Sequence, residues 1–187
     1  MFHATTDTPI GRMIMTTDGK ALTELCLENW WWAPSSVDTD LSATNAASPD
    51  RQPDMPEAAR IIVHQTQAWL AAYFAGEHPT LDSAPPLSAQ GTPFQHEVWD
   101  LITEIPYGQT VSYGAIAAEL AERRGGRRMA AQAVGGAVKR NPITIIVPCH
   151  RVVGSGRSFG GYGGHLDVKA ELLDLEGVDL SRFDLPH

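Results

Sequence analysis

Cys149 and His150 stand side by side in the stretch Ile143-Thr-Ile-Ile-Val-Pro-Cys-His-Arg-Val-Val153. A thiol is a soft nucleophile or a metal ligand, and an imidazole is the base whose unperturbed titration lies nearest neutrality. The β-branched run ahead of them predicts a short buried strand. Pro148 ends it, because proline has no N–H to give to a ladder. The pair then sits where the chain leaves the core, the usual place for reactive side chains on a rigid support. The residues alone leave a second reading open, a buried structural cysteine followed by a surface His and Arg, since free Cys is among the most buried residue types. Neighbours on a strand point to opposite faces, so a hydrolase-type Cys–His contact needs a turn, and no oxyanion-hole signature accompanies the pair. Cys26 lies in a predicted strand with no second Cys nearby and reads as core; His64 and His78 have no partner at ligand spacing, so no metal site is expected.

The body that carries this pair has 187 residues, 43% apolar and 19% charged, enough for one large or two small domains. No apolar run reaches membrane-spanning length, the first residues lack a signal-peptide pattern, and two cysteines make no disulfide framework. A cytoplasmic protein with no membrane association is expected. The net charge of −8 is unevenly spread. Residues 121–166 hold Arg123, Arg124, Arg127, Arg128, Lys139, Arg140, Arg151 and Arg157 against Glu122 alone, a local +7 that leaves −15 for the rest. One positive face for a polyanion follows, with a merely solvated basic loop as the alternative.

Gly11–Thr17, Asp18-Gly19 and Ala21–Leu27 read as a β-hairpin, the Asp-Gly pair supplying the turn. Trp30, Trp31 and Trp32 point to packing or an interface, and residues 33–56, rich in Ser, Asp, Ala and Pro, read as a flexible loop. From Glu57 to Gly76 apolar residues recur at helical spacing: Ile61, Ile62, Ala68, Trp69, Ala72, Tyr73. The expected organisation is an N-terminal α/β domain over 1–85, a linker over 86–91, and a mostly helical domain over 92–187. Thr92, Pro93 and Gln95 form a capping box, and Phe94, Val98, Leu101, Ile102 and Ile105 make the buried face of the helix they start. Ser112 caps a second helix from Tyr113 to about Ala121, and a third runs from Met129 to about Lys139, resembling a helix-turn-helix. The third contains Ala130-Ala-Gln-Ala-Val-Gly-Gly-Ala-Val138, and two interior glycines cost about 2 kcal/mol of helix stability relative to alanine. Such a helix allows close approach, either to a nucleic-acid groove or to another helix.

Thr92-Pro-Phe-Gln, Ile105-Pro-Tyr-Gly-Gln-Thr-Val-Ser-Tyr-Gly114, Ala133-Val-Gly-Gly, Asn141-Pro-Ile, Val147-Pro-Cys-His-Arg-Val-Val153 and Gly161-Tyr-Gly-Gly164 follow one another in this order. Together they resemble the O6-alkylguanine-DNA alkyltransferases, closely over 92–178 and loosely at Thr8-Pro-Ile-Gly11. The resemblance implies that Cys149 accepts an alkyl group from O6-alkylguanine, and from O4-alkylthymine, once and irreversibly, without metal or cofactor. His150 would be its base through a bridging water, with Glu176 orienting that His and Asn141 bracing the turn. Tyr113 would crowd the 3′ phosphate and donate to the departing guanine. Carbonyls of Cys149 and Val152 would read the guanine amino group, and Tyr162-Gly163-Gly164 would close over the flipped base. The helix-turn-helix would take the minor groove of double-stranded DNA, through Gln132, Ala133, Gly135 and Gly136, with Lys139, Arg140 and Arg151 among the DNA-binding residues and the free protein a monomer.

This sequence departs from the family pattern where an arginine usually fills the gap left by the flipped base. Gln132 stands there, after a longer Arg-Arg-Gly-Gly-Arg-Arg loop. Arg128, four residues earlier, would share its helix face if the helix begins early enough. His165 replaces a common glycine beside the pocket. The alternative of a lesion-binding protein that does not repair is disfavoured by the presence of Cys149.

Overall fold

The computed structural model describes residues 1–30, 55–126 and 128–185, and the chain divides into two compact units. The first comprises Met1–Gln90 with Pro142–Thr144. Its antiparallel sheet runs β1 (Phe2–Thr8), β2 (Gly11–Thr17) and β3 (Leu22–Leu27), in that order. The β2–β3 turn is tied by the Asp18 carboxylate, which accepts from the N–H groups of Lys20 (2.8 Å) and Ala21 (2.9 Å). Strand β1 has no counterpart in the sequence reading. His-Ala-Thr-Thr-Asp carries little apolar alternation, and it becomes a strand because the Thr8–Gly11 turn folds it back onto β2. Helix α1 (Glu57–Phe74) buries Ala59, Ile62, Val63, Thr66, Trp69, Leu70 and Tyr73, while Ile61 faces outward. Trp30 is buried; Trp31, Trp32 and the predicted loop, apart from Met55 and Pro56, lie outside the described residues.

Two expectations change here. Residues 86–88 are not a free linker, because Leu22 N–H donates to Pro86 O (2.8 Å) and Ser88 N–H to Leu22 O (2.9 Å). Residues 143–147 do not form a strand. Leu25 exchanges backbone hydrogen bonds with Pro142 O and Thr144 N–H (both 2.8 Å), and the chain then turns at Ile145, whose φ is +71°. Ile143 and Thr144 meet Leu25 while Ile145 and Ile146 lie in the turn, so the β-branched run reports burial, not a ladder.

The second unit comprises Gly91–Asn141 and Ile145–His187. Helix α2 (Pro93–Thr103) starts with the capping box: Gln95 N–H donates to Thr92 Oγ1 (3.3 Å) and Thr92 N–H to Gln95 Oε1 (2.7 Å). The strand β4 (Val111–Ser112) runs directly into α3 (Tyr113–Arg123), which Ser112 caps, and α4 (Ala131–Lys139) follows after the basic loop. Helices α2 and α3 pack on α4, where the small Ala137 lets Trp99 reach its carbonyl with Nε1 (3.0 Å). The parallel strand β5 (Val152–Val153) pairs with β4. Helix α5 (Leu166–Leu175) closes the unit over a cluster of Val153, Phe159, Leu173, Val178 and Phe183. None of the described helices is long and apolar enough to cross a membrane.

Candidate active site

Pro148 sets up the site. With φ −81° and ψ +65° it centres an inverse γ-turn closed by Cys149 N–H to Val147 O (2.8 Å). A 3₁₀ turn over Cys149–Arg151 follows, closed by Arg151 N–H to Pro148 O (3.0 Å). Cys149 and His150 are therefore not alternating strand residues, and all three side chains of the turn are buried: Cys149 is 3% exposed, His150 0% and Arg151 9%. The Asn141 side chain donates to Val147 O (2.8 Å) and braces the γ-turn from behind. At the C-terminus of α5, Glu176 presents a buried carboxylate, and His150 Nε2 lies 2.7 Å from its Oε1. Gly108 N–H donates to Oε2 (3.1 Å). Gly108 has φ +74°, and a Cβ there would stand 2.8 Å from the Glu176 carbonyl, so only glycine fits.

Burial pushes the Cys149 thiol up from its ordinary value, against hydrogen bonds from the Asn141 and Tyr162 side chains and the nearby Lys169 ammonium. The free protein thus holds a thiol. Burial pushes His150 down, against the pull of Glu176, so the imidazole rests neutral. Burial alone would raise Glu176; the hydrogen bonds from His150 and Arg151, with the charge of Arg151, outweigh it and bring the carboxyl down to about 2. Cys26, by contrast, is pushed by burial up to about 12, which fits a core thiol with no chemistry.

Tyr113, at the start of α3, lies close enough to Cys149 for the two to interact electrostatically, and its hydroxyl donates to Gly161 O (3.4 Å). Gly160, at φ +74°, leaves room for that ring: a Cβ there would come within 3.1 Å of Tyr113 Cε2. Tyr162 is buried, Gly163 and Gly164 are exposed at positive φ, and Val152 is fully buried. Along α4, Gln132, Ala133 and Lys139 are exposed, as is Arg140 just after it, with Gly135 and Gly136 half-buried and Val134, Ala137 and Val138 turned inward.

Three charge assignments need correcting. Arg151 is not presented to a phosphate, because its guanidinium is spent on Glu176 and on Ile105 O (2.7 Å). The +7 segment is partly neutralised by carboxylates outside it: Arg123 pairs with Glu119 and Glu104, Arg124 with Glu97, and Arg157 with Asp184. Arg127 lies outside the described residues. Arg128 does not share a helix face with Gln132, since α4 begins at Ala131 after an extended Ala130. It lines instead a groove of about 680 Å³ between α3 and residues 128–131.

One buried cation was missed. Lys169 is fully buried, donates to Val152 O (2.7 Å) and Phe159 O (2.6 Å), and sits 4.9 Å from the Phe159 ring centroid. Burial brings its ammonium down to about 8. The signal was present in the sequence: Leu166, Lys169, Leu172, Leu173 and Glu176 share one helical face, and a lysine and a glutamate on an apolar face require partners.

Comparison with known proteins agrees with this arrangement. Residues 93–178 match the DNA-binding domain of the 6-O-methylguanine DNA methyltransferase family. The chain is 37% identical over 181 residues to the constitutive methylated-DNA–protein-cysteine methyltransferase of Bacillus subtilis, covering 95% of this chain and 96% of that one. It is 41% identical over 170 residues to the Mycobacterium leprae methylated-DNA–protein-cysteine methyltransferase, with 91% and 88% covered. The crystal structure of Mycobacterium tuberculosis OGT in complex with DNA superposes with a TM-score of 0.70 at 37% identity, covering 97% and 94%. A buried cysteine next in sequence to a histidine that is paired with a buried carboxylate, in a chain aligned with these proteins over nearly its whole length, makes it a member of the methylated-DNA–protein-cysteine methyltransferase family.

Proposed function

We propose that this protein repairs O6-alkylguanine, and O4-alkylthymine, in double-stranded DNA by moving the alkyl group onto Cys149 Sγ, once per molecule. The observation that carries the reading is the buried Cys149–His150–Glu176 series with its 2.7 Å His–Glu contact. A thiol raised by burial needs a base, and an imidazole oriented by a carboxylate at Nε2 can take the proton at its other ring nitrogen through one water. Sulfur then attacks the alkyl carbon in line, the S–C bond forms as the C–O bond breaks, and the pair of electrons leaves with the guanine. The proton given up by the thiol returns to the base, restoring guanine, with Tyr113 hydrogen-bonding it as it departs. A thioether has no route back to a thiol, so turnover stops.

The lesion atom lies inside the duplex, so the base must be flipped out to reach a cysteine that is 3% exposed. The small exposed face of α4 suits the minor groove, with Lys139 and Arg140 beside it and the Tyr162-Gly163-Gly164 loop covering the base. Gln132, exposed in the first turn of α4, or Arg128, which lines the groove against α3, would fill the vacated stack. The test is to incubate the protein with a duplex containing O6-methylguanine and weigh it intact. A gain of about one methylene on the Cys149 peptide, with guanine restored, supports the reading, binding without mass gain in the wild-type protein refutes it, and the Cys149→Ala variant should bind but never gain mass. Loss of DNA affinity and rate in Gln132→Ala but not Arg128→Ala assigns the stack to Gln132; the converse assigns it to Arg128.

A further inference from the structure

The Cys149–His150–Glu176 series does not end at the carboxylate. Arg151 Nε lies 2.9 Å from Glu176 Oε2 and 3.2 Å from Oε1, and Nη2 lies 2.9 Å from Oε1. The fork is anchored on the other side by Nη1 to Ile105 O (2.7 Å), and the guanidinium carbon sits 5.6 Å from the centroid of the Tyr107 ring. The side chains of His150 and Glu176 are fully enclosed and that of Arg151 nearly so. We infer that Arg151 is a positioning residue for the proton step: its buried guanidinium takes up the charge of Glu176, so that His150 rests as neutral imidazole and can accept the proton of Cys149. The inference rests on the alkyl-transfer reading above.

Charge balance in a low-dielectric site is the argument. At rest the thiol and imidazole are neutral, and the carboxylate and guanidinium cancel. When the proton moves, thiolate and imidazolium appear together and the cluster still sums to zero. Take Arg151 away and Glu176 becomes a lone buried anion, which the site relieves by binding a proton. The proton acceptor nearest that anion is His150, 2.7 Å away. An imidazolium already formed at rest has no capacity left for the thiol proton, and activity returns only when the pH is high enough to remove it. Among the described residues, the other charged and titratable groups around the cluster include Lys169 on α5, Tyr107 before β4, and Cys149 with Tyr113 and Tyr162 beside it. Lys169 also opposes a charge on His150, but its ammonium hydrogen bonds to Val152 O and Phe159 O and not to Glu176. Arginine is required over lysine for the geometry, since one planar fork must satisfy two carboxylate oxygens and a carbonyl at once.

The test compares wild type with Arg151→Gln and Arg151→Lys. Single-turnover methyl transfer from an O6-methylguanine duplex is followed from pH 5.5 to 9.5, and the ¹⁵N shifts of the His150 ring are titrated without DNA, assigned by difference from His150→Asn. The wild-type ring is expected to be neutral at pH 7. In Arg151→Gln the acid limb of the rate profile moves up by one pH unit or more, so that at a pH on the limb transfer slows by about tenfold for each unit of the move. Arg151→Lys keeps the limb near its wild-type position with a lower plateau. An imidazolium in the wild type at pH 7, an unmoved limb in Arg151→Gln, or a displaced limb in Arg151→Lys each overturns the inference. Should Arg151→Gln not fold, the wild-type titration and Arg151→Lys decide. Absence of methyl transfer in wild type counts against the alkyl-transfer reading, while the ring titration still reports on Arg151.

Discussion

Replacing Glu176 with Gln tests how much stability is concentrated in this buried cluster. The carboxylate accepts from His150, from both faces of the Arg151 fork and from Gly108 N–H, and its side chain is fully enclosed. Glutamine keeps the shape but turns one acceptor into a donor facing donors, and leaves the Arg151 charge unpaired. Breaking a buried pair in this way costs about 3–5 kcal/mol. The lowered carboxyl leads to a similar figure. A carboxyl at about 2 in the folded protein, against about 4.3 unfolded, is worth about 3 kcal/mol at 1.36 kcal/mol per pH unit. The sign follows from proton counting: below the unfolded value the unfolded chain binds the extra proton. The contribution is therefore complete above about pH 5 and lost as pH falls toward 2. Urea denaturation of wild type and Glu176→Gln at pH 7, 5 and 3 should show a deficit of about 3–5 kcal/mol at pH 7 that shrinks at pH 3. A deficit below about 1 kcal/mol at pH 7, the range of an exposed pair, or one that does not change with pH, would refute the reasoning.

Lys169→Met removes the donor of Val152 O and Phe159 O, at about 1–3 kcal/mol for each orphaned carbonyl, against relief of an ammonium that burial holds at about 8. That lysine destabilises the wild type below pH 8 and ceases to between 8 and about 10.5, so the variant's deficit in urea melts should grow from pH 7 to 9.5. Gly160→Ala forces an L side chain to φ +74° and within 3.1 Å of Tyr113, so a loss of about 1–2 kcal/mol and slower methyl transfer are expected. Gly161→Ala, with open space around it, is the control that should leave the melting temperature unchanged. Native protein treated with an alkylating thiol reagent should leave Cys26 unmodified by peptide mass until urea exposes it, given a thiol at about 12 in the core.

Local chemistry made some elements legible from composition and spacing. The Thr92–Gln95 capping box, Ser112 at the head of α3 and the Asp18-Gly19 turn each declare themselves within four residues, because their hydrogen bonds are local. Strand β1 did not, since its residues become a strand only by pairing with β2. Ile143–Val147 misled for the complementary reason. β-branched apolar residues report that a segment is buried, and whether it is a strand depends on a neighbour that Ile145 and Ile146 lack.

Charge is where sequence and structure part most clearly. The family resemblance carried by the motifs implied Cys149, His150, Glu176, Asn141 and Tyr113 as one functional set, while the small residues of α4 left a nucleic-acid groove and another helix equally open until the structure put Gln132 and Ala133 at the surface. A count of charges along the chain cannot see that Arg123, Arg124 and Arg157 are matched by Glu119, Glu104, Glu97 and Asp184. Nor can it see that Arg151 turns inward to Glu176 while Lys169, on an apolar face, bonds two carbonyls. The sequence by itself determined which residue types the site contains and the order in which they occur. Which cations serve the reaction centre and which remain at the surface was decided only by the tertiary structure, because pairing between residues far apart in the chain depends on where the backbone brings them.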